Sequence, residues 1–120
     1  MYISEHDKAA IRQIIEQQLQ AFQNNDAVAA FTFASPTIQQ QFETPENFLA
    51  MVRNEYQVVY HPRSVMFRGF TTIDNHPAQV LILMDKAGKL TQAIYIMQQQ
   101  RDRTWRIHGC FLASLDKKVI

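Results

Sequence analysis

Two groups of side chains in this 120-residue chain are of the types that binding or catalytic chemistry uses. The first is Gln79, Tyr95, His108 and Cys110, which punctuate the apolar tracts of the second half. A histidine held in a dry pocket moves protons near neutral pH. A thiol near it becomes a nucleophile only where the two side chains touch. His108 and Cys110 are two residues apart, about 6.5–7 Å along a strand, so a direct Cys–His pair is weak. The second group is Tyr56, Tyr60, His61 and Arg63, a dense aromatic–basic cluster around Pro62. An arginine there can hold a carboxylate or phosphate while the tyrosines stack or donate. Each group has a plainer reading as well. A lone histidine on an apolar strand is more often a satisfied core residue, and the cluster around Pro62 can simply fix the entry to a strand. These eight residues form the candidate ligand-binding set, and no catalytic constellation stands out.

Other chemistries are poorly supplied. His6, His61, His76 and His108 show no metal-ligand spacing, and the single cysteine adds little, so neither a metal nor a cofactor is expected. There is no glycine-rich phosphate loop and no G-x-S-x-G elbow. A net charge of +1 gives none of the strong pull on phosphates that nucleic-acid binders usually have, so no nucleic-acid partner is expected. The longest apolar run, residues 80–84, has the length of a strand, far short of the roughly 18 residues of a membrane span. The start, Met1-Tyr2-Ile3-Ser4-Glu5-His6-Asp7, lacks a basic segment followed by an apolar one, so no signal peptide is expected. Cys110 reads as a buried free thiol in a reducing compartment, with cytoplasm the expected location.

The elements that carry these residues can be placed from pattern. With 47% hydrophobic residues, only 3 Gly and 4 Pro, the chain suits one globular domain over residues 1–120. Ser4 and Asp7 form an S-x-x-D helix start, and Ile11, Ile14, Ile15, Leu19 and Phe22 recur at helical spacing behind it. Asn24-Asn25-Asp26 stops that helix, and Asp26 caps a short one carrying Val28, Phe31 and Phe33. Ser35-Pro36 and Thr44-Pro45 each place a capping hydroxyl before a proline at the first helical position. A turn with Ile38 and Phe42 follows the first, and a helix through Phe48, Leu49 and Val52 follows the second. Residues 64–73, 78–84, 90–100 and 104–114 then read as strands with connections too short for crossover helices. Helices first and an antiparallel meander second predict an α+β fold, with helices packed on one face of a curved four-stranded sheet.

Register arithmetic predicts what shares a face. A two-residue turn at Asp102-Arg103 sets Tyr95 opposite Cys110 and Met97 opposite His108. Gly88 at the left-handed position of a three-residue loop sets Gln79 opposite Tyr95 and Leu81 opposite Ala93. One face then carries Gln79, Leu81, Leu83, Ala93, Tyr95, Met97, His108, Cys110 and Leu112. The other carries Val80, Ile82, Met84, Ile94, Ile96, Trp105, Ile107, Gly109 and Phe111. Both are substantially apolar, whereas a half-solvated sheet alternates apolar and polar residues. One helical layer covers only one face, so a homodimer through the sheet is expected.

A long first helix, short helices after it and a four-stranded curved sheet resemble the nuclear transport factor 2-like superfamily, a cone-shaped α+β fold that also hosts ketosteroid isomerase-type and SnoaL-like enzymes. The runs Ala30-Phe31-Thr32-Phe33-Ala34-Ser35-Pro36, Phe48-Leu49-Ala50-Met51-Val52, Tyr60-His61-Pro62-Arg63-Ser64 and Trp105-Arg106-Ile107-His108-Gly109-Cys110 resemble a bacterial family known as a domain of unknown function. The superfamily resemblance implies a cone cavity able to serve an enzyme or a ligand carrier. An isomerase-type site resembles a buried Asp base with a Tyr and a protonated Asp. Here no predicted strand interior has an Asp or Glu, since Asp74, Asp85 and Asp102 fall in turns.

The leading expectation is therefore a dimeric, non-catalytic binding or protein-interaction domain, with a small-molecule enzyme or carrier as the alternative. A cavity filled by Phe22, Phe31, Phe48, Phe67 and Trp105 favours the first; an open one favours the second. Residues 1–59 carry 3 basic and 7 acidic side chains and residues 60–120 carry 9 and 4, so an acidic helical layer lies on a basic sheet. The alternative to that plain reading is a basic patch near Arg101, Arg103 and Arg106 that meets an acidic partner or ligand. The Gln79–Tyr95–Cys110–His108 face is expected to be structural. Its polar groups should satisfy one another or reach water, so that Tyr95→Phe costs roughly the 1 kcal/mol of one net hydrogen bond and His108→Ala costs more through lost packing.

Overall fold

A capping box starts the helical layer. In the computed structural model, which describes residues 3–115, the Ser4 hydroxyl accepts from the Asp7 N–H while the Asp7 carboxylate accepts from the Ser4 N–H. Helix α1 (Glu5–Gln23) follows and buries Ile11, Ile15, Gln18, Leu19 and Phe22 along one side. The caps read from the sequence recur in α2 (Ala27–Thr32) with Asp26, α3 (Pro36–Phe42) with Ser35 and α4 (Pro45–Glu55) with Thr44. In the last two, proline occupies the first turn, where a missing N–H leaves no bond unmade. A fifth helix, α5 (Gln57–Tyr60), was not expected; it has no side-chain cap to announce it. Met1, Tyr2 and residues 116–120, which enter the single-domain span, the N-terminal reading and the charge count above, lie outside the described residues.

Strands β1 (Ser64–Ile73), β2 (His76–Met84), β3 (Leu90–Gln99) and β4 (Trp105–Ser114) form one antiparallel sheet in the order β1-β2-β3-β4. The fold is thus α+β, with five helices among the described residues packed on a curved, open four-stranded sheet, compatible with the expected cone. Asp74 and Asn75 both take positive φ (49° and 64°), the two-residue turn whose twist matches a hairpin. Strand β2 consequently begins two residues earlier than the sequence pattern suggested.

The β2–β3 register is as expected: Gln79 faces Tyr95, Leu81 faces Ala93, and Gly88 has φ +87°. The β3–β4 hairpin needs a correction. Its loop has three residues, Arg101-Asp102-Arg103, closed by Gln100 N–H to Thr104 carbonyl, with Arg103 at φ 72°. Asp102 supports this loop by accepting from the N–H and hydroxyl of Thr104. Ile107, not His108, then opposes Met97. A bulge between Ile96 and Met97 absorbs one residue and restores Tyr95 opposite Cys110. Trp105 and Ile107 therefore join the helix-covered core rather than the outer face, and His108 falls at the bulge without a partner residue in β3.

A second bulge lies in β1 between Phe67 and Phe70, and Gln79 holds it. This side chain is 3% exposed, and its Nε2 donates to the carbonyls of Arg68 (2.6 Å) and Gly69 (3.2 Å). Bulges sharpen local twist and bend a sheet, so Gln79 helps wrap the sheet around the helices. The core beneath is formed by Ile11, Ile15 and Phe22 from α1 and Leu81, Leu83, Ala93, Tyr95 and Met97 from the sheet. Gln79→Met keeps the volume but leaves those carbonyls without their donor. It should cost about 1–3 kcal/mol of stability in chemical denaturation, the range for orphaning a buried polar group.

Candidate functional site

The chain between α2 and α3 binds the free edge of β4. The Ile107 N–H donates to the Phe33 carbonyl and the Ser35 N–H donates to the Ile107 carbonyl, both at 2.8 Å, which makes a parallel bridge of Ala34 with Ile107. Arg106 Nη1 donates to the Ala34 carbonyl at 3.2 Å. Ser35, fully buried, does two further jobs: its hydroxyl caps α3 and lies 2.8 Å from His108 Nδ1. These bonds seat α3 and α4 over the sheet without closing the space beneath them.

That space is a cavity of about 300 Å³. It lies between α1, α3, α4 and α5 on one side and the β3–β4 hairpin on the other. The expectation of an aromatic-filled cone is not met. Phe22 and Phe48 stand in its wall, with Phe48 at the centre of a ring cluster in which Phe22, Phe31 and Phe42 lie 5.5–5.9 Å away. Phe67 packs under the Arg12 guanidinium, 4.4 Å from its ring centre, and Trp105 is buried elsewhere in the core.

Four of the eight predicted residues meet here: Tyr56, Tyr95, His108 and Cys110 all border the cavity. The Tyr56 hydroxyl donates to the Cys110 carbonyl at 3.3 Å. The Tyr95 side chain is 1% exposed, and its hydroxyl has no hydrogen-bond partner. The Cys110 thiol lies close enough to act on it as a weak sulfur partner, but the pair falls outside regular hydrogen-bond geometry, so the hydroxyl is left without a full partner. The Tyr95 hydroxyl thus departs from the expectation that the polar groups of this face satisfy one another or reach water, whereas Gln79 and His108 find partners elsewhere. Gln79, next to Tyr95 in the sheet, is committed to the β1 bulge and does not turn to it.

The second predicted group is not part of this cavity. Tyr60 and His61 line a separate surface depression with Arg53, Asp85 and Lys86. The rings of Tyr60 and His61 meet edge-on at 4.1 Å, and the Tyr60 hydroxyl donates to the Asn25 side chain. Arg63 is exposed and pairs through its backbone N–H with the Met84 carbonyl. Of the basic trio, Arg101 and Arg103 are exposed in the hairpin loop, whereas Arg106 is engaged at Ala34.

Two residues of the site escaped the sequence reading. Ser35 was read only as a cap. Gln18, 2% exposed, borders the cavity and donates to the Ala30 carbonyl at 3.1 Å. The signal for Gln18 was available, because it falls inside the apolar stripe between Ile15 and Phe22, where a polar side chain needs a partner.

The titratable groups of the cavity are pushed toward their neutral forms. Burial holds the Tyr95 phenol well above its ordinary value, with smaller contributions from Cys110. Burial likewise raises Tyr56, helped by Cys110 and Glu55. The Cys110 thiol is pushed up to about 12 by burial, against a weaker opposing pull from Tyr95. Such a thiol holds almost no thiolate at pH 7, which is the reactive form. His108 is lowered by burial and then by His76, whose ring centre is 5.3 Å away. Among the described residues, no three His, Cys, Asp or Glu side chains gather as metal ligands would, and no helix is long and apolar enough to cross a membrane.

Comparison with known proteins gives one match. A family model described as a domain of unknown function (DUF4864) matches residues 4–120. No curated protein and no solved structure matches the chain.

His108 gives the cavity wall a defined pH response. The unfolded chain binds the imidazole proton at the ordinary value of 6.5, and the folded protein binds it only at lower pH. Stability is therefore full above about pH 6.5 and is lost as pH falls toward the folded value. The thermal midpoint should drop between pH 7 and pH 5, and His108→Gln should flatten that slope. His76→Gln, which removes only the second cause, should flatten it in part.

Proposed function

Because the chain belongs to the DUF4864 family, whose description assigns no activity, we propose a function from the site itself: a binding domain that holds a small, largely apolar molecule in the cavity and performs no catalysis of its own. One observation carries this reading. Tyr95 is one of the residues lining the cavity, and its hydroxyl is buried without a hydrogen-bond partner. An orphaned hydroxyl of this kind is costly, and a ligand bearing an acceptor would relieve the cost. The cavity volume, about 300 Å³, lies at the small end of ligand pockets. The cavity residues include no carboxylate, the thiol is neutral, and Ser35 is closed off, so acid–base and nucleophilic roles have little to work with. The helix-on-curved-sheet architecture fits a nuclear transport factor 2-like cone, and we include that assignment in the reading. A bacterial cytoplasmic setting fits the one free thiol.

A second part of the reading concerns the other side of the sheet. Met66, Val80, Ile82, Met84, Ile94 and Phe111 share the parity opposite to Tyr95 and Leu81, with Met66 54% and Phe111 57% exposed. Four strands spaced about 4.8 Å, each about 9 residues at about 3.3 Å, make a face of roughly 570 Å². Two copies face to face would bury roughly 1,100 Å², close to the lower bound of stable interfaces. A second copy on this face makes the protein a homodimer. Light scattering at micromolar concentration should give about twice 14.0 kDa, and Met66→Glu, on this face and away from the cavity lining, should return the monomer; a monomeric wild type overturns this part.

The cavity reading is tested by Tyr95→Phe without ligand. Removing an unsatisfied buried hydroxyl should leave the thermal midpoint unchanged or raise stability by up to about 1–3 kcal/mol. A midpoint lowered by several degrees would mean that the hydroxyl is satisfied, and the reading would fall.

A further inference from the structure

We propose that this cavity selects uncharged molecules: an apolar body with a single hydrogen-bond acceptor that meets the Tyr95 hydroxyl. The inference rests on the cavity reading above and adds the chemical class of the ligand. None of the eighteen residues bordering the cavity is Asp, Glu, Lys or Arg. Its only ionisable groups are Tyr56, Tyr95, His108 and Cys110, each of them displaced toward the neutral form.

The polar atoms are also unequally available. Tyr56 donates to the Cys110 carbonyl, the Gln18 amide donates to the Ala30 carbonyl, and His108 Nδ1 is held by Ser35. Among these, the Tyr95 hydroxyl has no partner. Held above its ordinary pKa, the phenol stays protonated at pH 7 and acts as a donor. The same lining includes Phe22, Phe48, Val52, Val59 and Ile107, which offer only apolar contact. A carboxylate or phosphate drawn into this lining would lose much of its hydration and find only neutral donors and no counter-charge, which does not compensate a buried ion. A neutral carbonyl or ester oxygen has far less hydration to lose, and one donor suffices for it.

Three two-ring probes of one skeleton separate the terms: naphthalene, methyl 2-naphthoate and the 2-naphthoate anion, titrated at pH 7.5 into the wild-type protein and into Tyr95→Phe. The ester should bind about tenfold tighter than naphthalene, the scale of one net hydrogen bond. The anion should bind at least roughly a hundredfold weaker than the ester. In Tyr95→Phe the ester's advantage over naphthalene should vanish while naphthalene itself binds as before. The inference is overturned if the anion matches the ester, or if the ester keeps its advantage without the hydroxyl; in either case naphthalene still binds and the cavity reading stands. If none of the three binds, the cavity reading falls and the inference falls with it.

Discussion

The short parallel bridge between residues 33–35 and the edge of β4 governs the geometry of everything around it. Two backbone bonds at 2.8 Å tie Phe33 and Ser35 to Ile107. The same few residues start α3, hold His108 and engage Arg106. An uncovered β4 would present a row of unpaired N–H and carbonyl groups, a known liability of edge strands. The bridge satisfies part of that edge and thereby fixes how far α3 and α4 stand from the sheet. The separation left by this arrangement is the cavity.

Curvature is the second requirement, and it comes from two irregularities in the ladder rather than from uniform twist. In β1 the bulge between Phe67 and Phe70 is stabilised from the neighbouring strand by Gln79, whose amide reaches the carbonyls of Arg68 and Gly69. In β4 the bulge at His108 lies where Ser35 docks. Each bulge exposes backbone groups that a regular ladder would pair, and each has a polar side chain placed to help satisfy them or hold the neighbouring residue. Two of the polar residues in the candidate set are thus structural in their immediate contacts, Gln79 wholly and His108 through its Nδ1.

Local rules made most of the framework legible. The caps at Ser4, Asp26, Ser35 and Thr44 follow from hydroxyl and carboxylate chemistry next to the chain, and all four occur. Gly88 at positive φ fixed one hairpin, and the pairings of Gln79 with Tyr95 and of Tyr95 with Cys110 stand in the sheet. The second pairing was reached through a turn one residue too short, and the bulge at His108 compensated the error. That bulge was not legible because its partner, Ser35, lies 73 residues away in the chain. Helix α5 was missed because it carries no side-chain cap. The grouping of Tyr56 with Tyr95, His108 and Cys110, and the separation of Tyr60, His61 and Arg63 from them, depends on how α4 and α5 pack over the hairpin, a long-range outcome that spacing along the chain does not encode.

Small residues, Ala34 and Gly109, are among those that border the cavity. Ala34, 1% exposed, forms the bridge itself, and Gly109 lies opposite Ile96 just past the β4 bulge. A methyl group added at Gly109 would meet Ile96 Cδ1 at 3.6 Å, an ordinary van der Waals contact, so glycine is not required there by crowding. Its φ is not positive either, so the backbone places no demand on it. A protein selected only for stability fills such space and pairs such a hydroxyl, since voids and orphaned polar atoms both cost free energy. Here an unfilled volume and an unpaired Tyr95 hydroxyl occur at the same place, in a core otherwise closed by Leu81, Leu83, Ala93 and Met97 at 0% exposure. Departures from good packing concentrate where a site is maintained at the expense of stability, and in this fold two such departures coincide on one wall of one cavity.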